Sequence, residues 1–305
     1  MRVLTVGETM VLFDPLGDGP PRAGMTLTLR VAGAESNFAI ALARLGVDVA
    51  WASRLGRDPF GDLVLATLAD EGLDLTYVQR DQSRTGMFAK WRDGGRSHVA
   101  YWRSESAASR LRADDVPDEA LASVSLVHLT GITMAISKSG RELVVDLARR
   151  SKERGLTVTF DPNFRPALPD TAEEAAARQR DVLPYVDWYL CSEEEARALW
   201  RDEPLPARSA VRVGSRGVVI DGETIPPPRI VGHVVDEVGA GDAFAAGFVY
   251  GLLHGWSPRA CGAAGNLIAA FAVGGTGDWE QLPTSSDVEG ELRAIADGDA
   301  VKPSP

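Results

Sequence analysis

The chain has 305 residues, of which 45% are hydrophobic and 25% are charged. This ordinary globular composition predicts one large domain over residues 1–305, with a sizeable core. The formal net charge of −11 argues against non-specific binding to nucleic acid or to anionic membranes, so any phosphate must be bound by local features that overcome the global charge.

Short apolar runs alternate with helical patterns along the chain. Strands are predicted at residues 2–6, 125–129, 157–161, 186–190 and 217–221. Helices are predicted where apolar residues recur every three or four positions, at residues 36–46, 60–71, 140–154, 172–183, 192–200, 241–254 and 259–273. This alternation indicates an α/β fold with a mainly parallel sheet covered by helices on both faces.

One region breaks the alternation. Residues 85–103 alternate with period two on both sides of Asp93-Gly94-Gly95, which is typical of a β-hairpin. Two further extended segments, residues 11–15 and 26–31, flank a loop rich in proline and glycine. We expect residues 11–31 and 85–103 to form a small antiparallel lid sheet over a site, against a partner subunit, or both.

The stretch "VVDEVGAGDAFAAGF", residues 234–248, places two glycines and an acid where an extended segment becomes a helix. Gly239 and Gly241 let the backbone approach a ligand, and the first amides of the helix form an anion site. Asp242 could be only a helix cap, but a cap does not explain the glycines. Amides facing a phosphoryl group, beside an acid that accepts a hydroxyl proton, fit phosphoryl transfer.

Two other nucleotide-binding patterns do not fit. The P-loop pattern Gly-x4-Gly-Lys-Ser/Thr is absent from the sequence. A dinucleotide-binding fingerprint would need a small residue where Phe244 stands, and an acid near Arg259 and Ala260. The four histidines show neither metal nor triad spacing, so we interpret them as structural or surface residues.

Two motifs resemble the signatures of the ribokinase-like (PfkB) carbohydrate kinases. "DEVGAGDAFAAGF" is similar to the C-terminal signature of that family, and "AGAESNFAIALARLG" to its N-terminal signature. They lie about 200 residues apart in the family's order, and the resemblance covers essentially the whole chain. It implies a ribokinase-like α/β fold with ATP, Mg²⁺ and a small sugar or sugar acid as ligands.

The resemblance implies a role for each residue of the C-terminal motif. Asp242 would be the catalytic base. The backbone of Gly239, Ala240 and Gly241 would form the anion hole for the γ-phosphate. The period-two hairpin would be the lid of the family.

It also implies a nucleotide side of the site. Gly214 and Gly217, in "VRVGSRG", would approach ATP, and Asn266 would meet adenine unless it is only a polar helix residue. Ser192 and Glu195 stand where the family has an Asn-x-x-Glu motif that organises Mg²⁺ through water.

Asp236 would be a ligand of a monovalent cation such as K⁺. Three positions depart from the family pattern: Ala32 replaces a glycine, Glu237 replaces a threonine, and Ser192 replaces the asparagine of the magnesium motif. The replacement at Glu237 bears on the cation site.

Three segments, "AGAESN", "YWRSESAASRL" and "DPNFRPAL", resemble the 2-keto-3-deoxygluconate kinases of this family. Ribokinase-type members carry a sugar-binding aspartate where this chain has Leu12, which argues against ribose. A sugar acid needs a cation for its carboxylate, and the planar fork of arginine matches that group. The resemblance therefore favours 2-keto-3-deoxygluconate as the substrate.

The predicted sugar pocket combines residues from both signatures and from the lid. Gly33 and Asn37 would line it, and Tyr101 would donate a hydrogen bond unless it only packs within the lid. Arg103 and Arg165 would hold the carboxylate; the alternatives are a solvated lid arginine and a salt-bridged loop arginine.

Two other functions remain open at this point. One is a fructokinase-like or other neutral-sugar kinase on the same scaffold. The other is a non-catalytic sensor that binds a sugar or a nucleotide.

Other features bear on location and assembly. Two cysteines, Cys191 and Cys261, give no disulfide framework, which is typical of a reducing compartment. No apolar run reaches the roughly 20 residues of a membrane span, and the N-terminal run is too short for a signal peptide. We expect a cytoplasmic protein without membrane contact. A homodimer through the lid is possible, because Met87, Trp91 and Tyr101 suit a second lid.

Overall fold

The computed structural model describes residues 1–17, 19–94, 96–165, 171–201, 203–228, 238–275 and 277–298. Within these ranges the strands are β1 (Arg2–Val6), β2 (Met10–Pro15), β3 (Leu27–Ala32), β4 (Asp48–Gly56), β5 (Val78–Asp81), β6 (Met87–Asp93), β7 (Arg96–Trp102), β8 (Leu126–Thr130), β9 (Thr157–Asp161), β10 (Trp188–Ser192), β11 (Arg208–Arg212), β12 (Val218–Ile220) and β13 (Glu223–Ile225).

The helices in the same ranges are α1 (Ala34–Arg44), α2 (Pro59–Asp70), α3 (Asp118–Ala122), α4 (Gly131–Ile136), α5 (Lys138–Glu153), α6 (Ala172–Gln179), α7 (Glu193–Trp200), α8 (Ala240–Leu253), α9 (Pro258–Ala272) and α10 (Ser285–Ala296). None of the described helices is both long enough and apolar enough to cross a membrane.

The large sheet has the strand order β13-β12-β11-β10-β9-β8-β1-β4-β5. Its pairings from β11 to β5 are parallel, and β12 and β13 add an antiparallel edge. This confirms the α/β fold with a mainly parallel sheet. In a parallel sheet the carboxyl ends of the strands meet at one edge, where ligands of open α/β folds bind.

Two hydrophobic cores cover the two faces of the large sheet. Side chains alternate between the faces along each strand, so Val3 and Leu126 join the core under α1, α8 and α9. Their neighbours Leu4 and Val127 join the core under α5. Helices pack on both faces as the sequence pattern predicts, and they leave the carboxyl edge of the sheet for the site.

The segments predicted to form a lid make a separate four-stranded sheet with the order β3-β2-β6-β7, which keeps the name lid below. The pairs β2–β3 and β6–β7 are antiparallel hairpins, as predicted. The central pair, β2–β6, is parallel, which corrects the expectation of a wholly antiparallel lid. Both strands start from the same base of the lid, where Gly86 lies against Glu8 and Met10, and they leave it in the same direction.

The two faces of the lid differ in burial. One face packs Met10, Leu12 and Phe88 together, with the ring of Tyr101 at its edge. Met87, Trp91 and Tyr101 are half-buried, and the homodimer predicted through them stays a prediction. The exposed apolar side chains of the lid strands lie at other positions, namely Leu27, Leu29, Val99 and Trp102.

Some elements differ from the sequence-based predictions. The helix predicted at residues 172–183 ends at Gln179, and a short 3-10 turn follows at Leu183–Tyr185, where Pro184 limits further α-helix. The strand β4 and the helix α10 are not predicted. The first carries polar Ser53 and Arg54 within its apolar run, and the second is largely polar.

Candidate active site

A cavity of about 660 Å³ lies between the lid and the carboxyl ends of β9, β10 and β11. This volume falls within the range of small-molecule sites. The predicted site residues that line it are Gly33, Asn37, Tyr101, Arg103, Arg165, Ser192, Glu195, Gly239, Gly241 and Asp242. Residues far apart in the sequence therefore meet at one place, although their roles remain predictions.

Among the described residues, four of the predicted site residues do not line this cavity, namely Ala240, Gly214, Gly217 and Asn266. Ala240 begins α8 beside it. Asp236, the predicted cation ligand, and Glu237 fall outside the described residues.

The predicted nucleotide residues Gly217 and Asn266 pack against each other instead. A Cβ on Gly217 would lie 2.0 Å from the carbonyl oxygen of Ile225 and 3.0 Å from Asn266 Nδ2. Asn266 Nδ2 donates a hydrogen bond of 2.9 Å to the same carbonyl. Close packing of the chain on itself therefore accounts for Gly217, and a protein acceptor satisfies the Asn266 amide. Gly214 starts a 3-10 turn with a φ of +62°, so its glycine is explained by local conformation.

The Asp242 carboxylate is buried at the floor of the cavity. Asn37 Nδ2 donates to its Oδ2 at 2.9 Å, and Asn163 Nδ2 donates to its Oδ1 at 3.2 Å. Burial raises the pKa of Asp242 to about 7, against the opposing effects of the Asn37 hydrogen bond and the Arg165 charge. A carboxyl with a pKa near neutrality suits a general base.

The N-terminus of α8 faces the same cavity. Gly239 is its N-cap with a φ of +78°, a left-handed conformation that glycine adopts without strain. A Cβ at this position would lie 2.0 Å from the carbonyl oxygen of Asp278. The first amides of a helix have no intrahelical partner, so this turn presents donors and the positive end of the helix dipole beside Asp242.

Ser192 and Glu195 form a capping box at the start of α7. Glu195 N donates to Ser192 Oγ at 3.1 Å, and Ser192 N donates to Glu195 Oε2 at 2.8 Å. Glu195 Oε1 also accepts from Phe164 N at 2.8 Å, and burial raises the pKa of the Glu195 carboxyl. Serine thus replaces the family's asparagine without loss of the cap.

These contacts fit Mg²⁺ held through water better than direct ligation. A carboxylate has about four acceptor sites, and protein donors occupy three of those on Glu195, including Arg212 Nη2 at 3.3 Å. Mg²⁺ usually keeps several of its waters, so one of them could donate to Glu195. In the part of the chain that the structure describes, no three His, Cys, Asp or Glu side chains are grouped to hold a metal ion.

Arg212, at the end of β11, lines the cavity and is not predicted from the sequence. It donates to Asp161 Oδ2 at 2.8 Å as well as to Glu195, and its guanidinium lies over the Phe244 ring. Burial disfavours the charged guanidinium and so acts to lower the pKa of Arg212. The charges of Asp161 and Glu195 outweigh this effect, and the pKa of Arg212 is raised. Asp161, Glu195 and Arg212 thus form an ion triad. Asp161 is 34 or more positions from the other two residues, so only the neighbouring strands bring the three together.

Asn163 is a second residue that sequence reasoning missed. It is buried with a φ of +41°, in a region that asparagine tolerates better than most residues. Its backbone amide donates to Asp161 Oδ1 at 2.8 Å, which fixes the turn after β9. The motif "DPNFR" contains the signal, because an Asp-Pro-Asn turn holds an amide side chain at the end of a strand.

The predicted carboxylate-binding arginines differ in their surroundings. Arg103 is 10% exposed and pairs with the buried acid Glu8, while its guanidinium lies 5.7 Å from the centre of the Tyr101 ring. Arg165 is exposed at the mouth of the cavity, immediately after Phe164. The cavity therefore has a fixed arginine on the lid side and an exposed one on the side of the large sheet.

Comparison with known proteins assigns the chain to a class. The profile described as pfkB family carbohydrate kinase matches residues 1–285. The chain belongs to this family of carbohydrate kinases. The resemblance noted in the two signature motifs is thereby confirmed.

Among curated proteins, a 2-dehydro-3-deoxygluconokinase of Bacillus subtilis (strain 168) is 32% identical over 95% of both chains. Another protein of that name, from Thermoproteus tenax, is 33% identical over 96% of this chain and 94% of its own length. A 2-dehydro-3-deoxygalactonokinase of Haloferax volcanii is 30% identical over 98% of both chains.

Solved structures share the fold. A PfkB protein from Polaromonas sp. JS666 superposes with a TM-score of 0.84 at 34% identity, over 95% of this chain and 99% of its own. A putative Ribokinase II from E. coli, solved in complex with ATP and Mg²⁺, gives a TM-score of 0.83 at 23% identity, over 96% and 99%. The similarity extends across the large sheet and the lid together, and the ribokinase-like fold is confirmed.

Proposed function

We propose that this carbohydrate kinase transfers the γ-phosphoryl group of ATP to the terminal primary hydroxyl of a sugar acid, with 2-keto-3-deoxygluconate (2-dehydro-3-deoxygluconate) as its substrate. One observation carries the proposal: Asp242, at the start of α8, shares a cavity with Arg103 and Arg165. The first provides a base beside an anion site, and the other two provide cations for a carboxylate.

The proposed chemistry uses Asp242 as the base. Its carboxylate, held by Asn37 and Asn163, accepts the proton of the attacking hydroxyl as that oxygen bonds to the γ-phosphorus. The backbone amides of Gly239 to Asp242 stabilise the charge on the transferring group, and the bond to the β-phosphate oxygen breaks. Asp242 is deeply buried, so few waters compete with the sugar hydroxyl, and lid closure would exclude the rest.

Mg²⁺ would neutralise phosphate charge, with its water shell anchored by Glu195. The solved ATP and Mg²⁺ complex of a protein with the same fold supports this cofactor set. A monovalent cation near Asp236 remains a proposal on residues outside the described ranges. Gly214 keeps its proposed place beside ATP. Gly217 and Asn266 contact the Ile225 carbonyl, so their proposed role at adenine requires that binding of ATP moves the segment around Ile225.

The substrate proposal rests on charge and on relatives. Both arginines line the cavity, whereas Leu12 is buried within the lid and does not. The names of the relatives support an acid with a keto group, either of the gluconate or of the galactonate configuration. A neutral-sugar kinase on the same scaffold is the competing proposal, but it has no use for two arginines at the pocket.

Location and assembly extend the proposal. The cytoplasm supplies ATP and suits two buried free cysteines. The lid also exposes apolar side chains that would suit a second copy of the chain, namely Leu27, Leu29, Val99 and Trp102. Light scattering coupled to size exclusion would report a mass twice that of the chain if the lid forms a dimer.

The function is tested by ADP release over a panel of sugars and sugar acids. The panel contains 2-keto-3-deoxygluconate, 2-keto-3-deoxygalactonate, fructose and ribose at equal concentrations. The proposal expects the highest kcat/KM for the first. Preference for fructose would favour the neutral-sugar kinase, and no turnover with ATP still bound would favour the sensor.

A further inference from the structure

Glu8 is a buried acid beside the cavity, in the loop that follows β1. The sequence did not predict a role for it. Its Oε2 accepts from Arg103 Nε at 2.7 Å and from Arg103 Nη2 at 2.5 Å. Its Oε1 accepts from the hydroxyl of Ser106. The side chain is 1% exposed, and the two residues that donate to it, Arg103 and Ser106, directly follow the last lid strand β7.

These contacts use only one edge of the Arg103 guanidinium. An arginine has five N–H donors, and the donors of Nε and Nη2 that point sideways share an edge. Glu8 occupies that edge. No described residue accepts a hydrogen bond from Nη1. This atom is not buried, so it keeps access to solvent. The end of the fork, Nη1 with the second Nη2 hydrogen, is therefore available to a ligand in the cavity that Arg103 lines.

We propose that Glu8 is a positioning residue that fixes the orientation of Arg103, so that the end of its guanidinium meets the carboxylate of the sugar acid. The inference rests on the proposed sugar-acid function and adds to it the residue that sets carboxylate specificity on the lid side. Paired nitrogens of a planar fork bind both carboxylate oxygens at once only when the fork is held in plane with them.

The surroundings of Glu8 support this role. A Cβ on Gly86 would lie 2.6 Å from Glu8 Oε1, so the base of the lid leaves room for this acid. A buried acid is tolerated only when partners satisfy it, and Arg103 and Ser106 do so. The Tyr101 ring lies over the guanidinium of Arg103 and further restricts its orientation. An arginine held in this way loses little conformational freedom when the ligand binds.

Glu8 also has an opposing effect, which makes the inference testable. Its negative charge offsets that of Arg103 and weakens the general attraction of the site for an anion. If charge dominated, removal of Glu8 would lower the KM for a sugar acid. If orientation dominates, as we propose, the same removal raises that KM.

The experiment compares Glu8→Met, Glu8→Gln and wild type in steady-state kinetics with 2-keto-3-deoxygluconate and ATP. We expect Glu8→Met to raise the KM for the sugar acid about tenfold or more, while the KM for ATP stays within about twofold. Glu8→Gln keeps one acceptor oxygen for Arg103, so it should restore part of the loss. An unchanged or lowered KM for the sugar acid in Glu8→Met would overturn the inference.

Asp115 provides a matched control. It is a buried acid that holds Arg54 through Nε and Nη2, at 2.7 Å each, and neither residue lines the cavity. Asp115→Leu should lower the melting temperature and leave the KM for the sugar acid within about twofold. An increase in that KM equal to the increase in Glu8→Met would mean a general loss of structure and would overturn the inference.

A double variant separates positioning from stability. Once Arg103→Met has removed the guanidinium, adding Glu8→Met should raise the KM for the sugar acid no further, because the acid acts through the arginine. An additional rise would contradict the inference.

If Glu8→Met does not fold, Ser106→Ala replaces it. This change removes one hydrogen bond to Glu8 and should raise the same KM by a smaller factor; no rise would count against the inference.

The two levels of the proposal fail in different ways. If wild type turns over none of the sugar acids, the proposed function is wrong and the inference falls with it. If wild type turns over the sugar acid but Glu8→Met leaves its KM unchanged, only the inference is wrong.

Discussion

Asn37 donates a hydrogen bond of 2.9 Å to the carboxylate of Asp242, although the two residues are 205 positions apart. The first lies in α1 and the second in α8, and these helices pack together on one face of the large sheet. The hydrogen bond favours the ionised acid, whereas burial favours the protonated one, and burial has the larger effect. The predicted base is thus held near neutrality by opposing contacts from different parts of the chain.

The first prediction concerns catalysis by Asp242. Asp242→Asn should lower kcat by at least about 10²-fold, because the amide cannot accept the hydroxyl proton. The affinity for ATP, measured by calorimetry, should stay within a few-fold. In wild type, kcat should also fall as the pH decreases below about 7, since the base must be ionised. Unchanged kcat in the variant would rule out this residue as the base.

A second prediction follows from the same pKa but concerns stability. The folded-state pKa of about 7 lies above the ordinary aspartate pKa of 3.8, so between these pH values the folded protein binds a proton that the unfolded chain releases. This contribution to stability is complete below about pH 4 and is lost as the pH rises to about 7.

Asp242→Asn lacks this titration. Its stability relative to wild type should therefore increase between pH 4 and pH 8, by up to about 4 kcal/mol for a shift of this size. Urea denaturation of both proteins at a series of pH values measures it. A constant difference between them would show that Asp242 titrates normally.

A third prediction separates an acid substrate from a neutral one. Arg165 is exposed at the mouth of the cavity, so its loss should not disturb the fold. Arg165→Ala should lower kcat/KM for 2-keto-3-deoxygluconate by about 10²-fold, the loss of one charged hydrogen-bonded contact of about 3 kcal/mol. The Arg165 charge also lowers the pKa of Asp242, so the comparison is made at about pH 9, where the base is ionised in both proteins and turnover of a neutral sugar should barely change. Equal losses for both substrates would contradict a carboxylate role.

The fourth prediction tests the ion triad under the site. Arg212→Met leaves Asp161 and Glu195 buried without their cation, which should cost about 3–5 kcal/mol of stability. Arg216 offers the matched control, because it pairs with Glu193 on the surface, where Arg216→Met should cost less than about 1 kcal/mol. Similar losses in the two variants, measured by urea denaturation at pH 8, would show that the triad adds no special stability.

A fifth prediction concerns the turn before α8. Gly239→Ala places a Cβ 2.0 Å from the Asp278 carbonyl oxygen at a φ of +78°, so the turn must move. We expect a loss of several kcal/mol of stability or, where the fold survives, of most activity.

Gly290, inside α10, has open space around the corresponding position. Gly290→Ala should therefore stabilise the protein by about 0.5–1 kcal/mol. A gain here beside a loss in Gly239→Ala would show that the loss comes from the turn at Gly239 and not from the exchange of glycine for alanine as such. A Gly239→Ala protein with wild-type stability and kcat would mean that this turn does not need glycine.

How much could be predicted from the sequence depended on whether the signal was local. Gly239, Gly241 and Asp242 stand together in one motif, and Asn37 stands in another. The sequence alone was therefore enough to predict them as site residues. Glu8 and Arg212 act through partners far away in the sequence, and nothing beside them in the chain marks them. Asn163 reaches Asp242 across the fold, and only the local turn signal in "DPNFR" could have pointed to it.

The same distinction applies to the fold. The alternation of strands and helices predicted the mainly parallel sheet, since each element carries its own period. The parallel pairing of β2 with β6 could not be predicted, because it depends on where the two hairpins leave the large sheet. Gly217 shows the reverse case: the sequence predicts that its glycine leaves room for a nucleotide, and in the structure that room holds the Ile225 carbonyl, so the nucleotide role stays a prediction.

The order of the site residues along the chain has a consequence for synthesis. Ribosomes add about 5–20 residues each second, and N-terminal segments emerge first. Gly33, Asn37 and Arg103 leave the ribosome many seconds before Asp242 and the helix that bears it. A nascent chain can therefore contain much of the proposed sugar pocket while it still lacks the base. Phosphoryl transfer becomes possible only when the last helices have been added and packed against α1.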